Sequence, residues 1–200
     1  MDDIINNIKK LNINQTINQT INKGTGAGGK NTNHYGISFE NKTSNEKRLL
    51  ESGFKKEKGY LIKKYPDYEV IFVTQSELKN YIKNEYSIKL FRNPDEAYII
   101  KRNNEKTIIK VIEKKEQRVE GSVETKLWSG PSLKREYSII LGDQFEVEYS
   151  FCVNSFLENK MKSNELKYQV LQQILDENQI PILYGDSDDY FENLDNWLNL

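Results

Sequence analysis

Cysteine and histidine are almost absent from this sequence, in which Cys152 and His34 are the single examples of each. One cysteine cannot form an internal disulfide, and one cysteine with one histidine cannot build a zinc site. Any bound metal must therefore be held by carboxylate oxygens. That donor type favours hard ions such as Mg²⁺.

The sequence also lacks an apolar run of the roughly 20 residues that are needed to cross a bilayer. Its start, MDDIINNIKK, does not show the basic-then-apolar order of a signal peptide. Charged residues make up 30% of the 200 residues, but 12 Tyr, 8 Phe and 2 Trp argue against general disorder. We therefore expect a soluble, cytoplasmic protein that folds as one domain with an appendage and does not bind membranes.

Residues 1–35 differ in composition from the rest of the chain. They contain the repeat INQTINQT at positions 13–20, followed by a glycine-rich segment. We expect a flexible polar arm and a glycine loop over residues 1–35, and a single domain over residues 36–200.

The glycines of residues 24–29, followed by Lys30, partly match two phosphate-binding patterns. Both patterns need an apolar strand directly before the loop, whereas the residues upstream are polar. Two interpretations stay open: a disordered linker, or a loop that lies along DNA. In the second, Lys30 contacts a phosphate, and Asn31, Asn33 and His34 reach phosphates or base edges.

Hydrophobic periodicity and turn residues predict an α/β fold with a mixed sheet. Helices are expected from Gly36, around Leu49-Leu50, and at 76–84, 121–128, 133–141, 164–178 and 188–200. Strands are expected at 69–74, 95–101, 107–117, 145–153 and 180–184. The helix at 164–178 should have Leu166, Val170, Ile174 and Leu175 on one apolar face.

The net charge of -1 hides a partition along the chain. Residues 176–200 contain seven acidic residues and no Lys or Arg, so residues 1–175 contain 29 basic and 23 acidic residues, a formal +6. That part of the chain could bind a polyanion such as DNA, with the acidic segment facing away. The alternative is that these charges are ordinary solvated surface.

The clearest candidate site lies on the strand expected at 107–117. Because side chains alternate along a strand, Glu113, Lys115 and Gln117 share one face, which is apolar earlier in the strand. Lys114 points to the opposite face, and we expect its substitution to be mild. The ordinary alternative is an exposed Glu/Lys strand end without a function.

The turn before this strand decides what lies beside Glu113. A three-residue turn at 103–105 places Asp95 opposite Glu113, with Cβ atoms about 5 Å apart. A two-residue turn would place Glu96 there instead. Two carboxylates at that distance, with Lys115 as their only partner, repel unless a cation lies between them. The pair therefore predicts a divalent metal site.

Pro94-Asp95, followed after seventeen residues by Glu113-x-Lys115, resembles the PD-(D/E)XK nuclease motif. The resemblance extends to Glu40 on the preceding helix, where many members place an extra acidic residue, and to Gln117. Residues 24–40 and 113–123 together resemble a group of small type II restriction endonucleases from bacteria and viruses.

This resemblance implies a restriction-endonuclease-like core, with a mixed β-sheet flanked by helices. It implies a Mg²⁺-dependent endonuclease that cuts double-stranded DNA at a short specific site, with Mn²⁺ able to substitute. Asp95 and Glu113 would hold the metal, Glu40 would tune the site through a water or a second metal, and Lys115 would orient or help deprotonate the attacking water. Gln117 would be auxiliary.

The resemblance further implies products with 5′-phosphate and 3′-hydroxyl ends, a homodimer on a palindromic site, and a possible cognate DNA methyltransferase. Two other functions stay open. One is a repair or recombination nuclease that recognises DNA structure, and the other is a catalytically inactive DNA-binding module.

Overall fold

A computed structural model of the protein describes residues 29–119, 121 and 123–199, and its main compact unit covers His34–Leu200. Most of the expected polar arm, residues 1–28, lies outside the described residues. The helices are α1 (Gly29–Lys42), α2 (Glu46–Glu51), α3 (Ser76–Tyr86), α4 (Val123–Leu127), α5 (Gly130–Leu141), α6 (Ser155–Met161), α7 (Leu166–Glu177) and α8 (Tyr190–Leu198). The strands are β1 (Lys55–Glu57), β2 (Tyr60–Lys64), β3 (Tyr68–Thr74), β4 (Glu96–Arg102), β5 (Thr107–Lys115), β6 (Phe145–Val153) and β7 (Ile182–Tyr184).

The seven strands form one sheet in chain order, β1 to β7. The first five strands are antiparallel neighbours, and β5, β6 and β7 run parallel. The parallel pairs need crossovers, which α4 with α5 and α6 with α7 supply. The expected α/β fold with a mixed sheet flanked by helices is therefore confirmed.

Both faces of the sheet are covered by helices, because the central strands are apolar on both faces. On β5, Ile109 and Val111 face a core formed with residues of α3 to α7. Ile112 faces the second core, which is formed with residues of α1, α2 and α8. Alternate residues of β5 therefore belong to two different layers. Because both faces of the strand are covered, side chains of β5 can reach solvent only where the strand ends.

The structure adds a β1–β2 hairpin that the sequence did not predict. Its turn residues, Lys58 and Gly59, both have positive φ angles of 43° and 93°, which is the geometry of a two-residue hairpin turn. The three residues of β1 are all exposed, so the strand lacks the apolar alternation on which strand prediction depends.

Helix α1 begins at Gly29 and not at Gly36, so the backbone of residues 29–34 is helical where a loop was expected. The segment contains no proline, and therefore nothing stops the helix from extending back from its buried residue Phe39. Within the described parts of the chain, no helix combines the length and the apolar character that a membrane span requires.

Candidate active site

The β4–β5 hairpin has the register that a three-residue turn predicts. Glu96 pairs with Ile112 and Ile100 with Ile108, so one further step outward places Asp95 opposite Glu113. The alternative register, with Glu96 opposite Glu113, is wrong.

Asp95, Glu113 and Lys115 form a compact cluster at this end of the hairpin. The Nζ atom of Lys115 lies 2.7 Å from Glu113 Oε2 and 3.8 Å from Asp95 Oδ2. The three side chains are only 16–22% exposed, so the ion pairs are partly shielded from solvent. One lysine therefore serves two carboxylates that would otherwise repel each other.

The backbone fixes the position of Asp95 from two sides. Its Oδ2 accepts a 2.6 Å hydrogen bond from the N–H of Lys114, and its carbonyl oxygen accepts one from the N–H of Gln75 at 3.3 Å. Gln75 has a φ of 44°, a conformation that costs free energy for a residue with a side chain. This strained residue lies between β3 and α3, next to the cluster.

The cluster lies at the carboxyl end of the parallel strands. Lys115, Val153 and Tyr184 are register partners at the ends of β5, β6 and β7. In open α/β sheets, ligands characteristically bind in the crevice outside this end. The position of the cluster in the topology is therefore that of a binding site.

Glu40, on α1, approaches the cluster from the other layer of helices. It borders a cavity of about 250 Å³ together with Asp95, Glu96 and Lys114. Its carbonyl oxygen accepts a 3.2 Å hydrogen bond from Lys114 Nζ. Burial raises the pKa of the Glu40 carboxyl, and the nearby charge of Asp95 raises it further.

Glu113 is held in an environment that disfavours its ionised form. Burial raises the pKa of Glu113, the positive charge of Lys115 opposes that shift, and the negative charge of Asp95 reinforces it. A cation beside Glu113 would favour its ionised form.

In the described part of the chain, no group of three or more His, Cys, Asp or Glu side chains is placed so that it could hold a metal ion. The oxygen donors of Asp95 and Glu113 are a pair. This pair still fits Mg²⁺, because that ion usually keeps several waters and takes only one or two protein carboxylates.

Buried polar atoms without a partner concentrate around the end of β5. Among the residues that the structure describes, four buried side-chain atoms have no hydrogen-bond partner, and they are Glu96 Oε2, Glu116 Oε2, Tyr137 Oη and Tyr149 Oη. Glu96 pairs with Ile112 of β5, Tyr149 pairs with Val111, and Glu116 follows Lys115 directly. Such atoms destabilise a fold, so their presence near the end of β5 needs an explanation and is compatible with a functional site.

The expectation that substitution of Lys114 is mild did not take account of a structural role for this residue. Lys114 does lie on the opposite face from Lys115, but its Nζ forms a 2.7 Å ion pair with Glu96 Oε1, and both side chains are 2% exposed. Its position on the same face as the buried Ile112 is the signal in the sequence that could have identified it.

Gln117 does not continue the face of Glu113 and Lys115, since β5 ends at Lys115. Its side-chain oxygen accepts a hydrogen bond from the N–H of Glu124 at 2.9 Å, and its side-chain nitrogen donates to Val119 O at 2.8 Å. These bonds close the loop between β5 and α4, which gives Gln117 a structural position.

The predicted DNA contacts are placed only in part. Lys30, Asn31, Asn33 and His34 lie on the first turns of α1, and their side chains are outside the described residues.

Part of the acidic segment, residues 185–189, does not face away from the site. Residues 185–189 follow the carboxyl end of β7, the same end of the sheet as Lys115. Asp186 pairs with Lys42 at 2.8 Å and accepts a hydrogen bond from the N–H of Ser155. The parallel course of β7 brings these residues to the end of the sheet where the candidate site lies.

The chain matches no protein-family model, and neither a curated protein nor a solved structure is significantly similar to it.

Proposed function

We propose that the protein is a Mg²⁺-dependent endonuclease that hydrolyses phosphodiester bonds of double-stranded DNA. The observation that carries the proposal is the cluster of Asp95, Glu113 and Lys115, with two facing carboxylates and one shared lysine at the carboxyl end of the sheet. Its spacing in the sequence resembles the PD-(D/E)XK motif, and the β4–β5 register brings its members together.

Asp95 and Glu113 would hold the metal ion. When bound, the ion would stabilise negative charge on the scissile phosphate and lower the pKa of a bound water. Asp95 suits this role because its carboxylate is already oriented by the N–H of Lys114. Glu40, which lines the same cavity as Asp95, would orient a water beside Asp95 or a second ion.

Lys115 would orient the attacking water, help to deprotonate it and offset the charge of the phosphate. Its ammonium group lies between two carboxylates, 2.7 Å from one and 3.8 Å from the other. When it turns toward the water or the phosphate, it must release Glu113. The products would carry 5′-phosphate and 3′-hydroxyl ends.

The substrate proposal includes the start of α1. Lys30 would contact a phosphate, and Asn31, Asn33 and His34 would contact phosphates or base edges. Cutting both strands needs two active sites, so a homodimer on a palindromic site is the economical assembly. A DNA methyltransferase that modifies the same site would protect the host DNA.

Cleavage of plasmid DNA with Mg²⁺ or Mn²⁺, against an EDTA control, tests the proposal. Asp95→Asn and Glu113→Gln should each abolish cleavage while leaving DNA binding in Ca²⁺ within a few fold, since Ca²⁺ occupies such carboxylate sites. Glu105→Gln is the matched control, because Glu105 is exposed in the β4–β5 turn at the opposite end of the sheet. Its cleavage should equal that of the wild type.

Each alternative gives a distinct result. Discrete fragments from linear DNA indicate sequence-specific cleavage, whereas cutting confined to junctions or flaps indicates a structure-selective nuclease. DNA binding without cleavage in either metal would contradict the enzyme proposal and favour an inactive DNA-binding module.

A further inference from the structure

Two tyrosines behind the candidate site have hydroxyl groups without a partner. Tyr137 on α5 is 3% exposed and Tyr149 on β6 is fully buried, and neither Oη atom has a hydrogen-bond partner in the structure. Their ring centroids are 6.5 Å apart. Phenylalanine would fill the same space without burying an unsatisfied polar group, so the hydroxyls call for an explanation.

Both tyrosines lie on the Glu113 side of the sheet. Tyr149 pairs with Val111 and its neighbour Phe151 pairs with Glu113, so Tyr149 stands one side-chain step below Glu113 on the same face. Tyr137 reaches this position from α5, in the helix layer over that face. Among the charged groups around them, Glu113 acts most strongly on both hydroxyls, and its negative charge adds to the burial that raises the pKa of each.

The partners of Glu113 define what these hydroxyls could do. Its Oε2 now accepts a hydrogen bond from Lys115 Nζ at 2.7 Å. In the proposed reaction Lys115 turns toward the water or the phosphate, and Glu113 then loses its donor in a poorly hydrated place. Among the residues that the structure describes, Tyr137 and Tyr149 are buried groups near Glu113 whose hydroxyls have no hydrogen-bond partner and can donate one.

We propose that Tyr137 and Tyr149 are positioning residues, whose hydroxyls donate hydrogen bonds to the Glu113 carboxylate when Lys115 releases it. This inference rests on the proposed function, because it assigns the residues that keep the metal ligand oriented during the reaction. Donors of this kind behind a ligand typically change metal affinity or activity by about 10- to 100-fold when they are removed.

The experiment uses Tyr137→Phe, Tyr149→Phe and the double variant in the full chain. Mn²⁺ affinity is measured by calorimetry on the protein bound to a non-cleavable DNA, in which Lys115 can turn toward the phosphate. Tm is measured by calorimetric scanning, and kcat and KM on a cleaved DNA. At least one single variant and the double variant should lose about tenfold or more in Mn²⁺ affinity and in kcat. KM for DNA should not change, and Tm should stay equal or rise, because an unsatisfied buried hydroxyl has been removed.

Tyr98→Phe is the matched control. Tyr98 of β4 is equally buried, but it lies on the opposite face of the sheet from Tyr149. Its hydroxyl accepts a 2.8 Å hydrogen bond from the side-chain amide of Asn45. This variant should lose Tm and keep its Mn²⁺ affinity, which is the reverse of the result for Tyr137 and Tyr149.

Wild-type Mn²⁺ affinity and kcat in the double variant would overturn the inference while leaving the proposed function intact. A loss of Tm like that of Tyr98→Phe, with unchanged Mn²⁺ affinity, would also overturn it, since the hydroxyls would then be structural. If the wild-type protein neither binds Mn²⁺ nor cleaves DNA, the proposed function itself fails and this inference fails with it.

Discussion

Lys114 and Glu96 form a 2.7 Å ion pair in which each side chain is only 2% exposed, and the backbone N–H of Lys114 also donates to the carboxylate of Asp95. Burial raises the pKa of Glu96, and the charge of Lys114 opposes that shift. Each charge is tolerated in the interior only because the other is present. The pair therefore makes Glu96 of β4 and Lys114 of β5 depend on each other at the point where the candidate site begins.

Lys114→Met should reduce the free energy of unfolding by about 3–5 kcal/mol, because it leaves the Glu96 carboxylate buried without its partner. Urea denaturation monitored by circular dichroism measures this loss. Cleavage by the folded fraction at low temperature should persist, whereas Lys115→Met should be inactive even where it is fully folded.

The double variant Glu96→Gln with Lys114→Met tests the reason for that loss. Removing both charges should restore much of the stability, since replacing both members of a buried pair is often close to neutral. If the losses of the two single variants simply add, the two residues do not depend on each other and the explanation is wrong.

Glu113→Gln should stabilise the protein near neutral pH while abolishing cleavage. Burial holds the pKa of Glu113 above its ordinary value of 4.5. Below pH 4.5 the side chain is neutral and does not destabilise the fold, but as the pH rises through the raised pKa it ionises and the free energy of unfolding falls. The neutral amide of Gln avoids that fall, so Tm at pH 7–8 should exceed that of the wild type, by about 2 to 4 °C for each kcal/mol gained in the free energy of unfolding.

A pH series of Tm checks the sign of this effect. The difference between Glu113→Gln and the wild type should shrink as the pH falls toward 4.5 and should vanish below it, where both side chains are neutral. A difference that grows at low pH would show that the ionised carboxylate stabilises the fold. Glu105→Gln, in the exposed turn, should leave Tm unchanged across the series.

The central hairpin could be predicted from the sequence because its turn length and strand alternation are local properties. A three-residue turn at 103–105 fixes every later pair, and the observed pairing of Ile100 with Ile108 follows from it. The grouping of Glu113 with Lys115, and the separation of Lys114, follow from the same alternation.

The contacts made by buried charges and helix faces could not be predicted in the same way, because they depend on distant residues. Leu166 and Val170 were expected on one apolar face of α7, yet they are 74% and 40% exposed. The buried residues of this helix are Tyr168, Leu171 and Leu175. A tyrosine anchors the helix because its hydroxyl donates to Glu124 of α4, a contact that no local pattern encodes.

Lys30→Ala should weaken binding to all DNA sequences about equally if Lys30 contacts a phosphate. The dependence of log affinity on log salt should then become shallower by about 0.9, the value for one phosphate contact. Lys106→Ala is the control, because Lys106 is exposed at the opposite end of the sheet from the candidate site. Equal salt slopes for both variants would show that Lys30 makes no such contact.

Asp188→Asn should tighten DNA binding, because Asp188 is exposed in the segment that follows β7 at the same end of the sheet as Lys115. Two strand spacings separate β7 from β5, about 10 Å. At that distance in water, repulsion between Asp188 and one phosphate amounts to about 0.4 kcal/mol, or roughly twofold in affinity. Fluorescence anisotropy in Ca²⁺ at 20 mM salt should detect this gain, which should fade above about 0.15 M salt, where the screening length is about 8 Å.

Glu105→Gln is the control for this prediction, because it removes the same charge at the far end of the sheet and should leave the affinity unchanged. An equal gain in both variants would mean that only net charge matters, and DNA would then not approach the carboxyl end of the sheet.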